Sequence, residues 1–166
     1  VGSIASQASA ARVALTIFTP KPAGLAGAFI AGVFIYIRYR LFDITMILNG
    51  ALGGLVAITA GPHLYTMLDS ILVGSIGGAL VVLAVPLFDK FRIDDPVGAL
   101  SVHLVNGIWG TLAVGIFAAD PQHGITFLNQ LKGVAVIAGF VFSVSFAIIY
   151  LLNKIVPFRA SDEDQI

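Results

Sequence analysis

The sequence predicts an all-α fold, a bundle of helices that crosses a lipid bilayer several times. Apolar residues make up 58% of the 166 residues, charged residues make up only 11%, and the mean hydropathy is +0.98. A soluble domain carries about 25% charged residues, so this chain is too poor in charge to cover a water-facing surface. The apolar residues also form runs that approach the roughly 20 helical residues needed to span the hydrocarbon core.

Charged residues divide the chain into five predicted helices. Four runs without Asp, Glu, Lys or Arg cover residues 44–68, 70–88, 96–119 and 133–153. A fifth run, residues 22–37, is shorter, and it extends towards the N-terminus only across Pro20, Lys21 and Pro22. Proline removes a hydrogen bond from a helix interior, although neighbouring helices can compensate. We therefore predict one transmembrane domain over residues 1–157 and a cytosolic tail over 158–166, with helices at about 10–38, 44–61, 68–88, 97–118 and 130–155.

Acidic residues precede two of these helices. Asp43 lies immediately before the second helix, where its side chain can cap the N-terminus. Asp94, Asp95 and Pro96 precede the fourth helix. Carboxylates suit the positive end of the helix dipole, and proline suits the first helical turn. We expect these residues to be structural.

Basic residues lie in alternate connections. The segments after residues 37, 88 and 153 each contain two basic residues, whereas the connections at about 61–69 and 119–132 together contain only one, Lys132. Lys and Arg are retained on the cytosolic side of membrane proteins. The pattern places the three basic segments in the cytosol and the other two connections outside, although Arg12 and Lys21 run against it.

Glycines recur at helical spacing in three of the helices. Small residues let helix backbones approach closely in lipid, where close packing drives association. Three pairs share a helix face and together predict a tightly packed bundle: Gly50 with Gly54, Gly74 with Gly78, and Gly107 with Gly110.

His103 is the candidate functional residue, because it lies in the otherwise uncharged run of the fourth helix. Ionisable groups at membrane depth are costly and usually face the bundle interior or a pathway. Uninterrupted helical spacing places Ala99, Asn106, Gly107 and Gly110 on the same small, polar face. A neutral imidazole, the form favoured by an apolar pore, can both donate and accept a hydrogen bond. The alternative is that His103 is merely bonded to a backbone carbonyl or to Asn106.

Other residues give weaker signals. His63 and His123 fall in predicted external loops, and packing in the bundle explains Trp109 better than a place in a pore does. The chain has no cysteine, a formal net charge of zero and no basic patch for nucleic acid. No metal-ligand cluster, phosphate-binding loop or Ser/His/Asp grouping stands out, so we predict no metal, no cofactor and no enzyme.

Two long segments resemble signature segments of the ammonium transporter (Amt/MEP) family. The first runs from Asp94 to Ala118, DDPVGALSVHLVNGIWGTLAVGIFA, and the second from Thr45 to Gly61, TMILNGALGGLVAITAG. Both occur in the family's order and at a matching distance. The resemblance covers essentially the whole chain, most weakly at residues 1–42 and 119–145.

By this resemblance, the full protein has about eleven transmembrane helices in two inverted repeats, and this chain holds the last five. It forms a homotrimer in the cell membrane, with one pore per subunit and a cytosolic C-terminus. Many relatives bind a P-II-type regulatory protein at the cytosolic face, and the resemblance leaves open whether one binds here.

The family pore combines an external ammonium-recruiting site, an aromatic gate and an apolar channel with two hydrogen-bonded histidines. His103 matches the second histidine, and Ala99, one turn earlier, matches a pore-lining position; the remaining elements would lie upstream of Val1. Leu104 stands where the family often has glycine, and Gly98 stands where some members have an aspartate, which puts that carboxylate's role in doubt.

The implied function is transport of ammonium or ammonia past His103. An ammonium sensor or receptor that carries a signalling domain behind the same bundle is the alternative. A membrane-embedded enzyme would need a second catalytic partner near His103, and the sequence offers none.

Overall fold

The computed structural model describes residues 2–156, and of residues 2–8 only the backbone. The predicted tail at 158–166 lies outside the described residues. The described helices are α1 (Gly2–Phe18), α2 (Pro20–Tyr39), α3 (Ile44–Ile58), α4 (Met67–Lys90), α5 (Val105–Phe117) and α6 (Phe127–Ile155). A π-helical turn, Ala99–Leu104, runs directly into α5 and is called the π-turn below. The chain divides into two compact units, residues 1–131 and 132–166.

Four helical stretches of the described residues are long and apolar enough to cross a membrane: Ser9–Tyr39, Met67–Lys90, Ala99–Phe117 and Phe127–Ile155. The helix α3 is shorter, with 15 residues, or ~22 Å at 1.5 Å per residue against a hydrocarbon core of ~30 Å. It stops before the expected end at about residue 61, because Gly61 leaves the helical region and Pro62 begins a separate 3₁₀ turn. A residue before proline is disfavoured in the α conformation.

The expected helix at about 10–38 is built from α1 and α2, which meet at Thr19. Thr19 keeps a helical backbone, and its amide donates to the Leu15 carbonyl at 2.9 Å. Its buried hydroxyl contacts the carbonyl oxygens of both Leu15 and Pro62 at 2.8 Å. Pro20 takes the first position of α2, where a missing N–H is tolerated. The prolines therefore divide this helical stretch without ending it.

Glycines join α2, α3 and α4 at backbone distance, as the glycine spacing predicted. A Cβ built on Gly54 or on Gly74 would meet the Ala23 carbonyl oxygen of α2 inside van der Waals contact, and one on Gly78 would meet the Gly27 carbonyl oxygen. The third predicted pair is only half right. Gly110 packs against Ala57, but no described atom apart from the local backbone of its own helix lies within 4 Å of the Gly107 Cβ position.

The expected N-terminal caps differ in their outcome. Asp43 caps α3 by accepting from the Met46 amide at 3.1 Å, as predicted. The fourth helix was expected to begin around Pro96, but the helical residues begin at Ala99, after Gly98 in a left-handed conformation. The prediction that Pro96 occupies the first helical turn was therefore wrong, because the left-handed backbone of Gly98 separates Pro96 from the first helical residue.

Residues 132–156 of the second unit continue α6, and no residue of this helix is buried within the described chain. Aromatic rings spaced four apart stack along one side of it. Phe142 and Phe146 have ring centroids 6.1 Å apart, and Phe146 and Tyr150 have centroids 6.2 Å apart. The Lys154 ammonium lies 4.6 Å from the Tyr150 ring centroid.

Candidate functional site

The π-turn carries both candidate residues, Ala99 and His103. The His103 amide donates to the Gly98 carbonyl, five residues earlier, at 3.2 Å. Gly98 has φ +70° and ψ 25°, the left-handed region that glycine adopts at little cost. π-Helical turns inside helices often occur at functional sites. The local sequence therefore gives the backbone around His103 a wider turn than a regular α-helix has.

Asp95 holds the beginning of the π-turn. Its carboxylate accepts from the Leu100 amide at 3.0 Å, from the Ser101 amide at 2.8 Å and from the Ser101 hydroxyl at 2.7 Å. Partial burial raises the pKa of this carboxyl, but the hydrogen bonds from Leu100 and Ser101 together outweigh burial and leave the pKa below its ordinary value. The structural role expected for Asp95 is thus confirmed. Its side chain bonds residues that lie five and six positions later in the sequence.

The predicted small, polar face is divided in the structure. Ala99 and His103 are exposed in the described chain, whereas Asn106 and Gly110 are buried. The exposed arc around His103 includes Leu104 at 48% and Ile108 at 36% exposure. The face prediction was wrong because it assumed a regular α-helix from residue 97 and took no account of the π-turn.

The imidazole of His103 makes no hydrogen bond to any of the residues that the structure describes. The simple alternative, a histidine bonded to Asn106 or to a nearby carbonyl, is therefore not what these residues form. Instead, the Asn106 amide donates to the Ser101 carbonyl over 3.5 Å. The His103 imidazole remains free to contact a segment or a solute outside the described residues.

Asn106 is a residue whose position the sequence analysis missed. It is fully buried, and its side chain lies between two glycines of neighbouring helices. A Cβ on Gly53 of α3 would lie 2.9 Å from the amide nitrogen, and one on Gly77 of α4 would lie 2.9 Å from the amide oxygen. The signal in the sequence was the pair of doublets, Gly53-Gly54 and Gly77-Gly78, because adjacent glycines open two faces of a helix.

The other candidate residues take structural or exposed positions. The Trp109 indole donates to the Val73 carbonyl at 3.0 Å and packs edge-to-face on Phe117, which supports the predicted packing role. His63 is exposed in the 3₁₀ turn after α3. His123 is exposed and its Nδ1 lies 2.7 Å from the Asp120 carboxylate, a contact that lowers the pKa of Asp120.

A cavity of about 470 Å³ borders the π-turn at the end of the bundle that the charge pattern places in the cytosol. Asp43, Asp89 and Asp95 contribute carboxylates to its lining, and Gly98 and Ser101 of the π-turn region also line it. Neither His103 nor Ala99 is part of this lining. The candidate residues and the cavity thus share the π-turn but lie on different parts of its surface. No group of three His, Cys, Asp or Glu side chains among the described residues could hold a metal ion.

Comparison with known proteins decides the family. The model of the Ammonium Transporter Family matches residues 1–166. The chain belongs to the ammonium transporter family. It is 32% identical to Amt2 of Archaeoglobus fulgidus over 171 residues, which cover 93% of the chain and 36% of the relative. It is 35% identical to an ammonium transporter of Bacillus subtilis over 129 residues, which cover 70% of the chain and 32% of the relative.

Solved structures of ammonium transporter proteins have the same fold. A structure described as a sensor Amt protein superimposes with a TM-score of 0.85 at 30% identity and covers 92% of the chain and 40% of that protein. Mep2 of Saccharomyces cerevisiae superimposes with a TM-score of 0.83 at 26% identity and covers 92% and 38%. The all-α, multi-pass membrane fold is therefore confirmed. Curated relatives are named as transporters rather than enzymes, in agreement with the prediction.

This ammonium transporter family member spans less than half of the length of the proteins it matches, from 16% of one relative to 41% of one solved structure. The family relationship therefore covers only part of the length of those proteins.

Proposed function

We propose that the protein containing these residues moves ammonium or ammonia across the cell membrane along a path lined by His103 and Ala99. The observation that carries the proposal is the exposed His103 imidazole, without a hydrogen bond to the described residues, on an apolar arc of a family transmembrane helix. A neutral imidazole offers one donor and one acceptor nitrogen. It can hydrogen-bond ammonia while a charged ammonium ion would lose its hydration at high cost.

Ammonium would lose a proton before the apolar part of the path and cross as ammonia. Leu104 and Ile108 support such a dry path, because they flank His103 on the exposed arc. Ala99 has the smallest side chain after glycine and leaves room beside the imidazole. Ala99 and His103 both precede α5, whose later residues pack tightly against α3 and α4. The path would therefore run along the surface of this helix that faces away from α3 and α4.

The test is uptake of radiolabelled methylammonium by the full-length protein in proteoliposomes. His103→Ala should lower uptake by about tenfold or more, because each tenfold loss corresponds to only ~1.4 kcal/mol at the barrier. His63→Ala is the matched control, since that imidazole is exposed in a turn at one end of the helices. Equal uptake by wild type and His103→Ala, with unchanged selectivity against K⁺, would refute the assignment.

An ammonium sensor is the second candidate function, because one similar structure is described as a sensor Amt protein. The same bundle would then bind ammonium and signal through a further domain. Sequencing the gene beyond Ile166 separates the two: a signalling domain there favours a sensor, and a short tail favours a transporter. The uptake assay gives the same answer independently, since a pure sensor shows ammonium binding without flux.

Topology and assembly follow from the same proposal. The alternation of Lys and Arg supports a cytosolic C-terminus, with residue 90 inside and residue 122 outside. Residues 1–166 contain no cysteine, so Lys90→Cys or Gln122→Cys is the single labelling site in this part of the protein, and any cysteine elsewhere in the full-length protein is first replaced by serine. An impermeant maleimide added to intact cells should react with the second variant and not the first. Native mass spectrometry of the full-length protein tests the proposed homotrimer, with and without a P-II-type protein.

A further inference from the structure

We propose that Asn106 is a positioning residue that fixes the direction of the His103 imidazole through the π-turn. The proposal rests on the proposed function of His103. It assigns Asn106 no contact with the transported molecule, because the Asn106 side chain is fully enclosed within the described bundle.

Asn106 lies in a narrow slot between two glycines of neighbouring helices. Gly53 and Gly77 approach the amide so closely that even a methyl group on either would lie 2.9 Å from it. The same methyl group on Gly53 would lie 2.6 Å from the Val81 side chain. The amide therefore cannot turn freely, and it locks the rotation of α5 about its axis against both α3 and α4.

A short path through Ser101 joins Asn106 to His103. Asn106 reaches back to the Ser101 carbonyl at 3.5 Å, and Asp95 holds the amide and hydroxyl of the same Ser101. Ser101 is thus held from both ends of the π-turn, two residues before His103. A turn of α5 that released Asn106 from its slot would carry the π-turn and the imidazole with it.

Stability alone does not explain a buried amide at this position. The Asn106 amide oxygen has no hydrogen-bond donor among the described residues. A buried polar group that is only partly satisfied is destabilising relative to an apolar side chain of similar shape. A single buried asparagine can instead fix the register of packed helices at some loss of stability. In this bundle, the register that Asn106 fixes is the one that directs His103.

The experiment compares His103→Ala, Asn106→Ala and the double variant in the full-length protein, with methylammonium uptake normalised to folded trimer in the proteoliposomes. We expect Asn106→Ala to lower the maximal rate by about fivefold, within the range seen for residues that act at a distance, and to leave KM unchanged. The double variant should be no slower than His103→Ala alone, because Asn106 acts through the imidazole. In Asn106→Asp the new side chain has the same shape as asparagine, and its neutral form has an O–H that can donate to the Ser101 carbonyl. This variant should therefore retain most of the wild-type rate.

Several outcomes would overturn the positioning role. Wild-type rates for Asn106→Ala, or losses in the double variant that multiply, would show that Asn106 does not act through His103. Asn106→Ser repeats the test with a smaller polar side chain if the alanine variant does not fold. Unchanged uptake by His103→Ala together with lower uptake by Asn106→Ala would refute the proposed function itself. This outcome can be distinguished from the two outcomes above, which refute only the positioning role.

Discussion

The backbone contact between α2 and α4 predicts that a single added methyl group on Gly78 destabilises the protein. A Cβ on Gly78 would lie 2.7 Å from both the carbonyl carbon and the Cα of Gly27, and nearer still to the Gly27 carbonyl oxygen. Carbon atoms in favourable contact are about 3.5–4.0 Å apart. The two helices would have to separate by about 1 Å, because backbone atoms cannot rotate away as a flexible side chain can.

The change in unfolding free energy for Gly78→Ala is the sum of two opposing contributions. Overpacking costs ~1–3 kcal/mol, and a backbone obstacle places Gly78→Ala near the upper limit. Alanine recovers ~1 kcal/mol through its better helix propensity. The net loss of unfolding free energy is therefore about 2 kcal/mol. Gly133→Ala in α6 is the matched control, since apart from its own stretch of helix backbone no described atom lies within 4 Å of that Cβ position. The control variant retains only the gain in helix propensity. The change in unfolding free energy should therefore be a loss for Gly78→Ala and a gain for Gly133→Ala.

Thermal unfolding of the full-length protein in detergent, followed by intrinsic fluorescence, measures both variants against wild type. Gly78→Ala should unfold at a lower temperature and Gly133→Ala at the same or a higher temperature. If Gly78→Ala proved as stable as Gly133→Ala, the close approach of α2 to α4 would not constrain the bundle, and the packing argument would fail.

Three further predictions concern single side chains. Gly98→Ala should lower the free energy of unfolding by ~1–2 kcal/mol, because a left-handed backbone disfavours a Cβ. The added Cβ would also lie 2.8 Å from the Val102 side chain. Wild-type thermal stability of this variant would contradict the prediction. Asp95→Asn should lower stability by ~1 kcal/mol at neutral pH. Because the pKa of Asp95 is lowered in the fold, this difference should vanish as the pH falls below about 4 and through the lowered value, and a constant difference in pH-dependent melts would refute it. Tyr65→Phe should be at least as stable as wild type in the same melts, because the buried Tyr65 hydroxyl has no partner among the described residues; a loss above ~1 kcal/mol would contradict this.

The bundle could be predicted from the sequence because its strongest determinants are local. Apolar runs set the helices, and glycines four apart marked the faces of α3 and α4 that meet α2. The stop of α3 before Pro62 follows from a local rule about proline. Thr19 was harder to predict, because its second hydrogen bond goes to Pro62, which is 43 residues away in the chain.

The candidate site was less predictable, because its geometry depends on an irregular turn. Periodicity assigns residues to faces at a fixed angle per residue, and the π-turn changes that angle just before α5. As a result Asn106 was placed beside His103, whereas the structure buries it between Gly53 and Gly77. Asp95 was correctly assigned a structural role, but its reach to Ser101 could not be derived from spacing alone.

One partly buried and one fully buried polar side chain bond the segment that carries the exposed His103. Asp95 and Asn106 converge on Ser101 from the two ends of the π-turn, and both are polar groups with restricted freedom. On the proposed positioning role, replacing either side chain should shift the backbone that carries the imidazole. On the proposed positioning role, Gly53→Ala and Gly77→Ala should lower methylammonium uptake by the full-length protein, though less than His103→Ala does, because a methyl group at either glycine would lie 2.9 Å from the Asn106 amide.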